Sequence, residues 1–182
     1  KRQLQVLVIG GSQGARVLNE IVPQALAALS SQCRVRVHHQ SGREHESALA
    51  NYAAAELSEA TVEAFIDDMA EAYAQADFVI ARAGALTVAE LEAAGIGALL
   101  VPYPHAIDDH QTRNAESFAR DGAGIVVPEA EFTAKRLCSE LETLCMNRSR
   151  VIDMAVQARA QAHTRATQAL AQACIDAGRA QR

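Results

Sequence analysis

Apolar residues in this chain follow two alternating rhythms. Residues 5–9, Gln-Val-Leu-Val-Ile, form a near-continuous apolar run ending in Gly10-Gly11, as expected of a parallel strand buried on both faces. Leu18, Ile21, Val22, Ala25, Leu26 and Leu29 then recur at helical spacing. The alternation predicts a second strand at 34–39, a helix at 43–55, a short strand at 61–65 and a short helix at 67–75 with an acidic first turn. Strands at 78–81 and 98–101 flank a helix at 86–94. A helix at 111–120 precedes a last strand at 124–127, before Pro128. From Thr133 onward only helices fit, in two or three segments broken near Asn147 and His163. There Leu137, Leu141, Leu144, Val151, Ile152 and Ala155 stand at helical spacing and are read as packing positions. Strands alternating with helices imply an α/β fold with a parallel, doubly wound sheet.

In such a sheet the ligand crevice lies beyond the carboxyl ends of the strands. Two loops that follow apolar strands here are crowded with polar groups: 81–90, Ala-Arg-Ala-Gly-Ala-Leu-Thr-Val-Ala-Glu, and 102–115, Pro-Tyr-Pro-His-Ala-Ile-Asp-Asp-His-Gln-Thr-Arg-Asn-Ala. Gly84 leads into a helix whose first N–H groups are free for a ligand. Thr87 and Glu90 share one face of that helix, as Gln111 and Asn114 share a face of the next. Hydroxyl, carboxylate and carboxamide groups in two facing loops suit a ligand rich in hydroxyls.

A third loop joins the first strand to the first long helix: Gly10-Gly11-Ser12-Gln13-Gly14-Ala15. Its glycines permit close backbone approach, the helix start favours a phosphate, and Ser12 adds a hydroxyl donor. A tight strand-to-helix turn with no ligand is the plainer alternative. No Lys-Ser/Thr follows, so this is not a P-loop, and the second strand lacks the terminal acidic residue of a dinucleotide site. The loop also fits G-x-S-x-G, the nucleophile elbow of hydrolases, with Asp108 or Asp109 and His110 following in order. Those aspartates adjoin His110, whereas a triad Asp reaches its His from a separate loop. In Phe65-Ile66-Asp67-Asp68-Met69 the plain reading is an N-cap at Asp67 with Phe65 and Met69 in the core. The functional one uses the Ile66 backbone to pair with a nucleobase edge. Asp108-Asp109-His110 invites a metal, but consecutive ligands point apart, and an N-cap Asp with solvated neighbours fits better. Arg82 is expected at the surface or crevice rim. His38, His39, His45, His105 and His163 take no specific role.

The bulk properties narrow the partners. At 182 residues with a formal net charge of −5, the chain is one large domain or a domain fragment, with no nucleic-acid partner expected. The same charge argues against this chain as the main anchor to an anionic membrane. No apolar run approaches the ~20 residues of a spanning helix, and no signal peptide is evident. Cys33, Cys138, Cys145 and Cys174 show no CxxC spacing and are expected to be buried thiols of a reducing compartment, without a zinc site. The chain begins at Lys1 and enters a strand almost at once, which suggests a domain of a longer protein.

Taken in series, Gly-Gly-Ser-Gln-Gly-Ala, Phe-Ile-Asp-Asp-Met, Gly-Ala-Leu-Thr-Val-Ala-Glu and Asp-Asp-His-Gln-x-x-Asn-Ala resemble the MurG family of bacterial N-acetylglucosaminyltransferases. Those enzymes transfer GlcNAc from UDP-GlcNAc to lipid I in peptidoglycan synthesis. The resemblance covers essentially the whole chain and corresponds to the C-terminal, donor-binding half. One position departs: Gly97 stands where the family usually has Pro. The resemblance implies an inverting GT-B glycosyltransferase with two Rossmann-like domains, needing no metal and no cofactor. Residues 1–165 would be the UDP-sugar-binding domain, and 166–182 a C-terminal helix packing toward an N-terminal acceptor domain. Ser12 would touch the diphosphate, and Ala85, Leu86 and Thr87 would lie along diphosphate and sugar. The Ile66 backbone would read uracil, Glu90 would accept from the ribose hydroxyls, and Gln111 with Asn114 would hold the sugar, flanked by His110. No catalytic residue is expected in this chain, because the family's acceptor site and base lie mainly in the other domain. The implied partners are UDP-GlcNAc, lipid I through that domain, a membrane surface through it too, and other cell-wall synthesis proteins. The implied location is the cytoplasmic face of the inner membrane, as a peripheral protein. A GT-B transferase with a different UDP-sugar, or a non-catalytic nucleotide-binding module, is the alternative.

Overall fold

Six short apolar segments pair into one sheet: β1 (Leu4–Ile9), β2 (Val35–Gln40), β3 (Thr61–Glu63), β4 (Phe78–Ala81), β5 (Ala98–Leu100) and β6 (Gly124–Val126). Their order is β3-β2-β1-β4-β5-β6 and every neighbouring pair is parallel. The computed structural model describes residues 3–11, 14–163, 168 and 171–176. All six expected strands are present. The third is shorter than its apolar run because residues beyond Glu63 turn away to meet Gly42 and Gln40.

Helices connect and cover the sheet: α1 (Arg16–Ala27), α2 (His45–Ala54), α3 (Met69–Gln75), α4 (Ala85–Ala94), α5 (His110–Ala119), α6 (Ala134–Met146) and α7 (Arg148–Ala160). Strand residues alternate between two cores because successive side chains point to opposite faces. Val6, Val8, Phe78, Ile80 and Leu99 pack with Leu18, Val22 and the α6 leucines Leu137, Leu141 and Leu144. Leu7, Ile9, Val79, Ala81 and Leu100 pack with Tyr73, Val88, Leu91 and Phe118. Helices therefore cover both faces, the condition under which a parallel sheet is stable.

Several local expectations are corrected. The N-cap of α3 is Asp68, whose Oδ1 accepts the Glu71 N–H at 2.9 Å; Asp67 stays outside the helix. The segment expected to be one helix over 43–55 begins with a separate 3-10 turn at Gly42–Glu44. In α7, Ile152 is 63% exposed and the buried positions are Val151, Met154 and Ala158. Val151 packs with one core and Ala158 with the other, so the helix buries a different stripe from the one read off its spacing. Cys33 and Cys145 are joined in a disulfide, with Cα atoms 5.5 Å apart, and Cys174 is exposed, so the four cysteines are not four buried thiols. A separation of 112 residues hides that pairing from spacing rules.

Two contacts show how the helices are locked. Pro23 lies inside α1 and has no N–H to give the Asn19 carbonyl four residues back. Asn51 of α2 supplies it instead, its Nδ2 donating to Asn19 O at 3.1 Å. At the amino end of the sheet, Arg148 of α7 reaches Asp77 at 3.3 Å, and Met154 lies against Gly97, where an added Cβ would come within 2.6 Å of the Met154 Cβ. The carboxyl end stays open.

Candidate functional site

The strand order reverses between β1 and β4, so the connections leaving these neighbouring strands run to opposite faces and open a crevice. After β1 the chain turns through Gly10, Gly11 and Gly14. Gly14 has φ +77° and lies so close to the next loop that a Cβ would stand 2.4 Å from Ser41 O. The buried Asn19 holds that carbonyl in place, Nδ2 to Ser41 O at 3.1 Å. Helix α1 starts beyond, at Arg16, with no side-chain cap on its first N–H groups. Ser12 and Gln13 lie outside the described residues; the Ser12 role and the hydrolase elbow therefore stay as expectations.

After β4 the chain passes through Arg82 and Ala83 to Gly84, the N-cap of α4, again without a side-chain cap. The first N–H groups of α4, on Ala85, Leu86 and Thr87, have no intrahelical acceptor. Ala85 and Leu86 are exposed and Thr87 is half-buried. Asn114 fixes the approach by donating from Nδ2 to Ala83 O at 3.0 Å. A cleft of about 800 Å³ separates the two helix starts, with Gly10, Gly11, Arg16, Gly84, Thr87 and Gln111 among its walls.

The far wall is the start of α5. Asp108 and Asp109 both adopt left-handed φ of 52° ahead of it. Asp109 is the N-cap position, and its Oδ1 accepts the Thr112 hydroxyl at 2.6 Å rather than a backbone N–H. Gln111 Oε1 accepts the Tyr103 N–H at 3.0 Å, which turns the amide NH₂ into the free donor end. His110 opens the helix and is exposed. Among the described residues no three His, Cys, Asp or Glu side chains are grouped to hold a metal.

Ile66 and Glu90 lie apart from that cleft. Ile66 is buried, and its N–H donates to Gln40 Oε1 at 3.0 Å, so its donor is already engaged. Glu90 follows Thr87 by one turn of α4 and faces Tyr73 of α3. The Tyr73 hydroxyl donates to Glu90 Oε2 at 2.9 Å at the edge of a second groove of about 690 Å³. The structure thus brings Thr87 and Gln111 to the glycine loop. It places Asn114 behind them as a brace, and Glu90 and Ile66 beyond.

Sequence reasoning missed the contacts of five residues here. Arg82 does line the cleft, but not as a solvated charge: its side chain is 15% exposed and pairs with Glu129 at 2.5 Å. It also donates to Val101 O and Pro102 O at 3.2 Å and lies over the Tyr103 ring at 5.4 Å. An Arg directly after a fully buried strand was the available signal, since it stands where the core meets the cleft. Gln40, Tyr73, Tyr103 and Glu129 carried none, because each acts through a partner distant in the chain. Nearby, His39 is fully buried beside Tyr52, its Nδ1 2.9 Å from the hydroxyl. Burial, then the neighbouring His38, lowers its pKa to about 3.

A doubly wound sheet with two uncapped helix starts facing a glycine-lined cleft at its switch point is the architecture of one half of a GT-B fold. The model of the glycosyltransferase family 28 C-terminal domain matches residues 5–170, and the chain belongs to that family. It is 54% identical over 172 residues to the UDP-N-acetylglucosamine–N-acetylmuramyl-(pentapeptide) pyrophosphoryl-undecaprenol N-acetylglucosamine transferase of Nitrosococcus oceani, covering 94% of this chain and 48% of that protein. It is 51% identical to the enzyme of the same name from Marinobacter nauticus, over 96% of this chain and 48% of the relative. The chain spans about half the length of the curated relatives it matches. Among solved structures it superposes on Acinetobacter baumannii MurG with a TM-score of 0.84 at 43% identity, over 93% of this chain and 51% of that one. The calicheamicin glycosyltransferase CalG4, at 17% identity and a TM-score of 0.67 over 93% of this chain and 43% of that one, shares the fold.

Proposed function

We propose that this chain is the donor-binding half of an inverting glycosyltransferase. The reaction moves N-acetylglucosamine from UDP-N-acetylglucosamine to undecaprenyl-diphosphate-linked N-acetylmuramyl pentapeptide, giving lipid II. The observation that carries it is the convergence of the uncapped starts of α1 and α4 on one glycine-lined cleft. Relatives at about half identity support the choice of substrates. The diphosphate lies along Ala85, Leu86 and Thr87, and Ser12 is the residue expected to add a hydroxyl to it. The Gln111 NH₂ donates to the sugar hydroxyls beside Asn114, Glu90 accepts from the ribose, and the Ile66 carbonyl accepts from uracil N3–H.

In the reaction an acceptor hydroxyl oxygen bonds to sugar C1 while the bond from C1 to the β-phosphate oxygen breaks. The electron pair leaves with UDP, and the acceptor proton passes to a base in the other half of the enzyme. This half contributes stabilisation of the departing diphosphate: fixed N–H donors and the positive end of α4 meet the charge as it develops. The acceptor lipid places the enzyme at a membrane surface, on the cytoplasmic face where UDP-GlcNAc is made, with contact through the other half. No helix among the described residues is long and apolar enough to cross a membrane.

Calorimetric titration of the chain with UDP-GlcNAc, UDP-glucose and UDP, repeated with Glu90→Ala, tests the reading. Preference for UDP-GlcNAc, weakened in the variant, is expected. Equal binding of all three would leave the sugar to a different transferase. No binding to the chain and none to the full-length enzyme would end the donor-site reading.

A further inference from the structure

The Tyr73 ring belongs to the core that α3 and α4 build on one face of the sheet, and its hydroxyl meets Glu90 at the groove between them. That hydroxyl donates to Glu90 Oε2 at 2.9 Å. Burial, then the charge of Glu90, raises the pKa of the phenol, so Tyr73 remains a donor at any physiological pH. Glu90 itself is exposed and stands on the open side of α4. An exposed Glu samples many rotamers, and fixing one on binding costs conformational entropy. Here the buried Tyr73 ring holds one carboxylate oxygen in place beforehand.

Resting on the donor-site reading above, we infer that Tyr73 is a positioning residue for recognition of the ribose. It clamps Glu90 by Oε2, so that Oε1 stands ready for the sugar diol of the nucleotide. The consequence is selectivity for a ribonucleotide. A deoxy analogue leaves the pre-set carboxylate oxygen without its hydroxyl partners, and a Glu90 released from Tyr73 loses the pre-set geometry. Tyr73 touches no substrate atom and acts only through Glu90.

The test is a thermodynamic cycle on the chain, titrating UDP and 2′,3′-dideoxy-UDP into the wild type, Tyr73→Phe, Glu90→Ala and the double variant. Phe keeps the buried ring, and unfolding midpoints confirm that each variant is folded. Tyr73→Phe is expected to weaken UDP roughly two- to tenfold. It should leave dideoxy-UDP unchanged and add nothing once Glu90 is Ala. Equal weakening of both nucleotides, or an undiminished effect in the Glu90→Ala background, would mean that Tyr73 acts through packing and would overturn the inference. Weakening by Glu90→Ala with no effect of Tyr73→Phe would overturn it while leaving the donor site standing. Loss of no affinity in Glu90→Ala would remove the role of Glu90 in the donor site, and the clamp with it.

Discussion

Gln40 at the end of β2 accepts the N–H of Ile66, 26 residues away, through its side-chain oxygen at 3.0 Å. Both residues are buried. Gln40→Met removes the acceptor at similar volume and leaves the Ile66 N–H orphaned, a cost of about 1–3 kcal/mol. Urea unfolding should show that loss. Amide exchange at Ile66, slow in the wild type, should become fast. Unchanged protection would mean that another group takes over the N–H.

The glycine loop yields an ordered pair of variants. Gly11 and Gly14 both have positive φ, but a Cβ at Gly11 meets open space whereas one at Gly14 collides with Ser41 O. Gly11→Ala should cost the left-handed strain alone, about 1–2 kcal/mol. Gly14→Ala should cost more and should also weaken UDP-GlcNAc, because relieving the collision moves the loop. Unfolding midpoints in the order wild type, Gly11→Ala, Gly14→Ala check this. The reverse order would remove Ser41 as the constraint.

Arg82 and Glu129 tie the loop after β4 to the turn after β6 across the cleft floor. Removing one charge strands the other in a half-buried site. Arg82→Met should therefore cost about 1–3 kcal/mol, less than a fully buried pair because the Glu129 side chain keeps 30% of its exposure. The double variant Arg82→Met with Glu129→Gln should recover part of that loss. Strictly additive losses in urea would show that the carbonyl contacts at Val101 and Pro102, not the ion pair, hold the floor together.

Acid should destabilise the fold through His39. The unfolded imidazole takes up a proton below its ordinary value of 6.5, while burial keeps the folded ring neutral down to about 3. The unfolded state therefore binds the extra proton in that window. Stability is full above pH 6.5 and declines as the pH falls toward 3, by up to about 1.4 kcal/mol per pH unit from this one group. Urea titrations at pH 7.5 and pH 5 should show the decline. His39→Gln, whatever its own stability, should flatten it; an unchanged slope would assign the acid sensitivity elsewhere.

The elements of this protein were legible along the chain because periodicity is local. Val6, Val8, Leu7 and Ile9 announce a strand buried on both faces without reference to anything distant, and Gly84 before Leu86 announces a helix start. The same holds for the site residues placed by those elements: Thr87 follows from the helix that carries it, and Gln111 from its own.

Partnership was decided only in three dimensions. Nothing near Tyr73 points to Glu90, nothing near Gln40 to Ile66, nothing near Cys33 to Cys145; each pair meets only because the fold sets α3 beside α4, β2 beside β3, and α6 beside the turn before β2. Strand order is a global choice. It is governed by how the two apolar faces are covered and by the right-handed crossovers that cover them, and no window of sequence contains either term. Sequence by itself therefore determined which groups this domain carries at the ends of its strands. Tertiary packing decided which of them are already engaged: Ile66 its N–H, Gln111 its oxygen, Arg82 its charge.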